Sequence, residues 1–142
     1  MSHRDWLAAD IERARLQQQW GLLFREWDVV IYPSAATPAF PHDHSLPMEA
    51  RHLEIDGEAH PFLDAFFVWA DPATTCGLPA TAVPIDRSPT GLPIGVQIIG
   101  PFLGDRTTIA FAALLEQEFG GFVAPPGYAG GAVDTAAERH RA

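Results

Sequence analysis

The chain has 142 residues, a formal net charge of −9, nine arginines and no lysine, and 47% of its residues are hydrophobic. That acidity argues against nucleic acid and anionic membrane surfaces as partners, and no apolar run approaches the ~20 residues that a bilayer-spanning helix needs. The length suits one domain with its own core. The single cysteine, Cys76, precludes an internal disulfide and points to a reducing, cytoplasmic setting.

The first element expected is a helix over residues 5–26, capped by Ser2 with Asp5. Leu16, Trp20, Leu23, Phe24 and Trp27 recur at helical spacing as one apolar stripe, whereas Leu7 and Ile11 fall on roughly the opposite face. The helix therefore bends, touches two surfaces, or is two helices. The run Asp28-Val29-Val30-Ile31-Tyr32-Pro33 is β-branched and continuous, the pattern of a buried strand, expected parallel. An irregular, proline-rich stretch follows to residue 47. Asp56-Gly57 then suggests a small hairpin turn. The aromatic residues 62–70 read as a short helix against the core, and Asp71, Thr74 and Thr75 as the loop after it.

Residues 74–100 organise the rest. Residues 80–85 and 93–100 form two apolar runs, and Asp86-Arg87-Ser88-Pro89-Thr90-Gly91 between them is turn chemistry, so a hairpin is expected. Gln97 is the one polar side chain in the second run, which implies a strand buried on both faces and layers above and below it. Asp105 is expected to cap a closing helix over residues 106–119, with Phe111, Leu114, Leu115 and Phe119 inward and Gly120-Gly121 as its stop. The expected fold class is α/β, a mixed sheet with flanking helices. Residues 1–128 are expected to form one segment and residues 129–142 a loose tail.

Three motifs carry a resemblance. Asp28-Val29-Val30-Ile31-Tyr32-Pro33, then Gly77-Leu78-Pro79-Ala80-Thr81-Ala82-Val83-Pro84, then Gly91-Leu92-Pro93-Ile94-Gly95-Val96-Gln97-Ile98-Ile99-Gly100 resemble, in order and spacing, the C-terminal part of the amidase signature family. The resemblance implies a fold shared with hydrolases of amide bonds that are substantially longer than this chain. It also implies a Ser–cis-Ser–Lys arrangement, in which lysine acts through a bridging serine, and a glycine- and serine-rich segment that carries nucleophile and oxyanion hole. That machinery lies ahead of the part matched here. The chain's four serines, Ser2, Ser34, Ser45 and Ser88, are never adjacent, and the family's lysine has no counterpart. A serine hydroxyl needs a positioned base to act as a nucleophile, so no catalytic residue is assigned.

By the same resemblance, residues ahead of the Gly77-Leu78-Pro79-Ala80 strand approach the substrate pocket of the complete enzyme. Trp69, Asp71, Thr74, Thr75 and Cys76 are therefore the candidate substrate-binding residues. Each has a plainer reading. Trp69, with Phe66, suits core packing; Asp71, Thr74 and Thr75 suit caps or turns. Cys76 has no histidine nearby in sequence and reads as a small buried hydrophobe. His42 and His44, with Asp43, His52 and His60, match no standard zinc spacing and read as a polar loop. No cofactor and no metal are expected.

Three functional readings follow. The chain is the C-terminal fragment of an amidase, inactive by itself; or a subunit complementing a separate polypeptide that supplies serine and lysine; or a binding module that has lost catalysis. The first leads. The partner it requires is the missing N-terminal amidase portion or a complementing subunit, and bare strand edges would favour homo-oligomers.

Overall fold

A computed structural model describes residues 1–125 and 127–128, so the tail expected over 129–142 lies outside the described residues. Helix α1 runs uninterrupted from His3–Leu23. The Ser2 hydroxyl accepts the Asp5 N–H at 3.2 Å and the Asp5 carboxylate accepts the Ser2 N–H at 2.9 Å, a complete capping box. Alanine, arginine, glutamine and leucine dominate its interior, all good helix formers. The helix ends where the Phe24 N–H reaches the Trp20 carbonyl and the next residues tighten into turns.

Strand β1 (Val30–Pro33), β4 (Ala80–Arg87) and β5 (Pro93–Ile99) form a three-stranded sheet in the order β1-β5-β4. Both pairings are antiparallel, with Tyr32 opposite Gln97 on one side and Ala82 opposite Gln97 on the other. The parallel direction expected for β1 is thus corrected. A short apolar run reports burial, not direction, and the chain returns to β1 through β5 without the crossover that a parallel neighbour requires. The expected hairpin of residues 80–100 is present. Its register slips between Pro84 and Asp86, where Ile85 is the extra residue of a bulge.

A second sheet is the hairpin of β2 (His52–Ile55) and β3 (Glu58–Pro61). Asp56 (φ 52°) and Gly57 (φ 84°) form its turn, the left-handed pair that a two-residue hairpin needs. Helix α2 (Phe62–Cys76) follows at once, and helix α3 (Asp105–Phe119) closes the described fold. Gly104, not Asp105, occupies the N-cap of α3, and no side chain bonds across it. Asp105 sits in the first turn, where its charge still favours the helix dipole.

The layers form on both sides of β5. Residues paired across an antiparallel ladder share a face, so Thr81, Val83, Val96 and Ile98 face one way, while Tyr32, Gln97 and Ile99 face the other. Helix α3 covers the first face, where the Thr81 hydroxyl donates to that of Thr108 at 2.8 Å. Helix α2 reaches the second face through Trp69, whose ring lies edge-on 5.5 Å from Tyr32. Ile98 and Ile99 are 0% exposed and centre the core. That core is small. Among the described residues seven apolar side chains are buried, whereas twenty-three large hydrophobic ones are exposed, Ile31 on the edge strand β1 at 50%.

Candidate functional site

Helix α2 carries all five candidate binding residues, so Asp71, Thr74 and Thr75 do not lie in a loop as expected. Pro72 lies inside this helix although it lacks an N–H to donate. The helix nevertheless continues one more turn, and Gly77 (φ 61°) ends it. The Gly77 N–H bonds the Thr74 carbonyl at 3.2 Å and the Leu78 N–H bonds that of Ala73 at 2.9 Å, the left-handed closure that glycine permits.

Helical geometry then divides the five. Ala73 and Cys76 are buried and Trp69 half-buried on the inward face. Asp71, Thr74 and Thr75 are exposed on the outer face. The Thr74 hydroxyl donates back to the Ala70 carbonyl at 3.0 Å, a local bond within the helix. Asp71 joins Leu63, Asp64, Phe67 and Val68 around a shallow depression of about 470 Å³. The structure thus gathers Asp71, Thr74 and Thr75 on one face and sends Trp69 and Cys76 to another.

Cys76 is 2% exposed, and burial pushes its thiol pKa up, with nearby Arg13 pulling weakly the other way. A nucleophilic cysteine needs the opposite shift. Its carbonyl accepts a 2.7 Å hydrogen bond from the Gln17 amide of α1, which ties the two helices at this point.

The polar centre of the site is Gln97. Its side chain is buried, and its Nε2 donates both to the Pro33 carbonyl at the end of β1, at 2.9 Å, and to the Trp69 carbonyl of α2. Both partners are acceptors only, so the amide nitrogen must face them. One side chain thereby fixes β1, β5 and α2 relative to each other and holds Trp69 against the sheet. The signal for this role is visible in the sequence as a lone amide within an apolar strand, although its partners, 64 and 28 residues away, are not.

A separate cleft of about 520 Å³ opens where the proline-rich stretch meets the β2–β3 hairpin, lined in part by Phe40, His42, Asp43, His52, Glu54 and Leu92. Hydrogen bonds from the side chain and N–H of Ser45 hold the Asp43 carboxyl below its ordinary pKa. The His42 and His44 rings meet edge-on at 5.8 Å. Among the described residues no group of three or more histidine, cysteine or acidic side chains is arranged to hold a metal ion.

The serines are apart, and two of them are locally occupied. Ser2 caps α1; the Ser88 hydroxyl lies 2.8 Å from that of Thr90 and accepts the Leu92 N–H at 3.1 Å within the β4–β5 turn. Among the described residues no hydrogen bond joins a serine hydroxyl to a histidine.

Comparison with known proteins accords with this geometry. The profile of the Amidase family matches residues 1–109. Over 112 residues the chain is 34% identical to a glutamyl-tRNA(Gln) amidotransferase polypeptide of Granulibacter bethesdensis, covering 79% of this chain and 20% of that protein. It is 32% identical over 115 residues to a fatty acid amide hydrolase of Medicago truncatula, covering 80% of this chain and 18% of that one. A crystal structure of an amidase superposes with a TM-score of 0.71 at 25% identity, over 84% of this chain and 26% of the other. The chain thus spans about one fifth of the length of the curated relatives it matches. Among the described residues no helix is long and apolar enough to cross a membrane. With its fold, its motifs and most of its length matched, the chain belongs to the amidase family.

Proposed function

We propose that residues 1–128 serve as the C-terminal part of an amidase. In that role they support the sheet and one wall of the substrate pocket, while the Ser–cis-Ser–Lys machinery for amide C–N hydrolysis comes from the rest of a longer protein or from a separate polypeptide. The observation that carries this reading is the imbalance of the fold, with seven apolar side chains buried against twenty-three large ones exposed among the described residues. A chain that has satisfied its own hydrophobic surface does not leave helix and edge-strand positions such as Leu16, Trp27 and Ile31 in water. The absence of lysine adds to it, because no residue of the chain can take the family's base. The buried, lone Cys76 fits a reducing cytoplasmic setting.

In this assembly Gln97 acts by position. It fixes the Trp69 segment of α2 against β5 and so sets one wall of the pocket, with Asp71, Thr74 and Thr75 on the adjoining face. The test is ammonia release from simple aliphatic and aromatic primary amides. The chain alone is expected to release none above the protein-free rate, and the chain mixed with an amidase polypeptide lacking its own matching segment is expected to release it. Turnover by the purified chain alone would refute the reading.

A further inference from the structure

Helix α1 is the largest element whose surface the fold leaves unexplained. It has 21 residues and none is buried. Its contact with the remainder is narrow. Asp10, Arg13, Ala14, Gln17 and Trp20 are half-buried along one line, and Gln17 makes the bond to Cys76. At about 100° per residue, two apolar lines flank this one. Leu7, Ile11 and Leu22 lie on one side; Leu16 and Leu23, continued by Trp27 just past the helix, lie on the other, and all six are exposed. The back of the helix, marked by Asp5, Glu12, Arg15 and Gln19, is polar, and Asp10, Arg13, Gln17 and Gln18 interrupt the other faces. This explains the two opposed stripes in the sequence. The helix is undivided, and it exposes apolar side chains on both sides of its contact line, as a helix with neighbours on two sides would.

We propose that α1 is a docking helix, held between two elements of the complementing amidase portion, with its Asp5–Glu12–Arg15–Gln19 strip left in water. The inference rests on the functional reading above and names the surface through which it works. The occupant follows from two facts. The family match of residues 1–109 includes all of α1, and the relatives that share it are about five times longer than the segment matched, so α1 belongs to a body most of which this chain does not contain. A membrane surface is disfavoured by charge, because the helix balances Arg4, Arg13 and Arg15 against Asp5, Asp10 and Glu12, whereas membrane-surface helices concentrate Lys and Arg on the polar face.

Three of the four tryptophans, Trp6, Trp20 and Trp27, report on this surface directly. The probe is the Granulibacter bethesdensis amidotransferase polypeptide with its matching segment deleted, prepared without tryptophan and titrated into the full chain. Docking is expected to shift tryptophan emission to shorter wavelength and to lower acrylamide quenching about twofold or more. The pairs Leu16→Asp/Leu23→Asp and Ile11→Asp/Leu22→Asp should each weaken association about tenfold or more. The pair Glu12→Gln/Gln19→Asn should change it less than about twofold. All these positions are exposed, and unchanged far-UV circular dichroism will show that the variants fold. If both flank variants bind like the parent chain, the docking helix is refuted and the amidase reading stands. If the parent chain does not bind, both fall. If the chain alone sediments as a dimer that either flank pair dissolves, the occupant is a second copy and the inference is overturned.

Discussion

Replacing Gln97 with leucine removes the two hydrogen bonds that join β1, β5 and α2 while keeping the side-chain volume. Each such bond contributes about 1 kcal/mol net, and the carbonyls of Pro33 and Trp69 lose their donor in a part-buried setting, so the expected cost is about 2–3 kcal/mol. At about 4 °C per kcal/mol for a chain of this size, Tm should fall roughly 8–12 °C. Urea titration followed by far-UV circular dichroism measures the change as a lower midpoint at unchanged slope. Gln97→Glu separates hydrogen bonding from packing. A carboxylate there would face two carbonyl oxygens with no proton to donate, so its folded pKa should be raised. The linkage sign follows: the folded state binds the extra proton, so the deficit is smallest below about pH 4, the ordinary glutamate range, and grows as pH rises through it. A Gln97→Leu midpoint within about 0.5 kcal/mol of the parent chain would show that the amide does not hold these elements together.

Other substitutions probe the remaining supports. Ser2→Ala removes the cap of α1 and should cost about 1 kcal/mol, read as lost helicity at 222 nm. Hydrogen bonds from Ser2 lower the Asp5 pKa, so the contribution of its carboxylate is present above the ordinary aspartate range and is lost as pH falls through the depressed folded value; helicity should decline on acidification in the parent chain and less so in Asp5→Asn. A Cβ added at Gly100 would stand 2.5 Å from the Thr108 methyl, so Gly100→Ala should push α3 off the sheet at a cost of about 1–3 kcal/mol, measured by urea midpoint. Cys76 should react with a disulfide reagent far more slowly in the folded chain than in urea, because burial both shields the thiol and raises its pKa. With the folded pKa raised, its share of stability is complete below about pH 8.5 and lost as pH climbs beyond.

The parts legible in the sequence are those that local chemistry decides. Asp56-Gly57 supplies the left-handed pair of its turn, Ser2 and Asp5 close a cap three residues apart, and the turn residues 86–91 separate two apolar runs. The differences arise where tertiary context overrides a local rule. Residues 62–70 are legible as a short helix, yet packing of Ala73 and Cys76 carries α2 on through Pro72, which moves Asp71, Thr74 and Thr75 from a loop to an exposed helix face. The direction of β1 is hidden because a four-residue apolar strand looks alike in either orientation. Gln97 announces itself by type but not by partner, since both of its carbonyls lie far away in sequence. The opposed stripes of α1 are legible as a conflict, and the structure leaves side chains of both exposed.

The central claim is that the nucleophile of amide hydrolysis lies on a polypeptide portion other than this one. A fluorophosphonate reagent, which phosphonylates a serine hydroxyl only where a positioned base activates it, tests that claim directly when intact-mass and peptide analysis locate the adduct. The chain alone should remain unmodified, and in the complemented assembly the adduct should fall on the partner portion. A stoichiometric adduct on Ser2, Ser34, Ser45 or Ser88 would place the nucleophile within this chain and contradict the account.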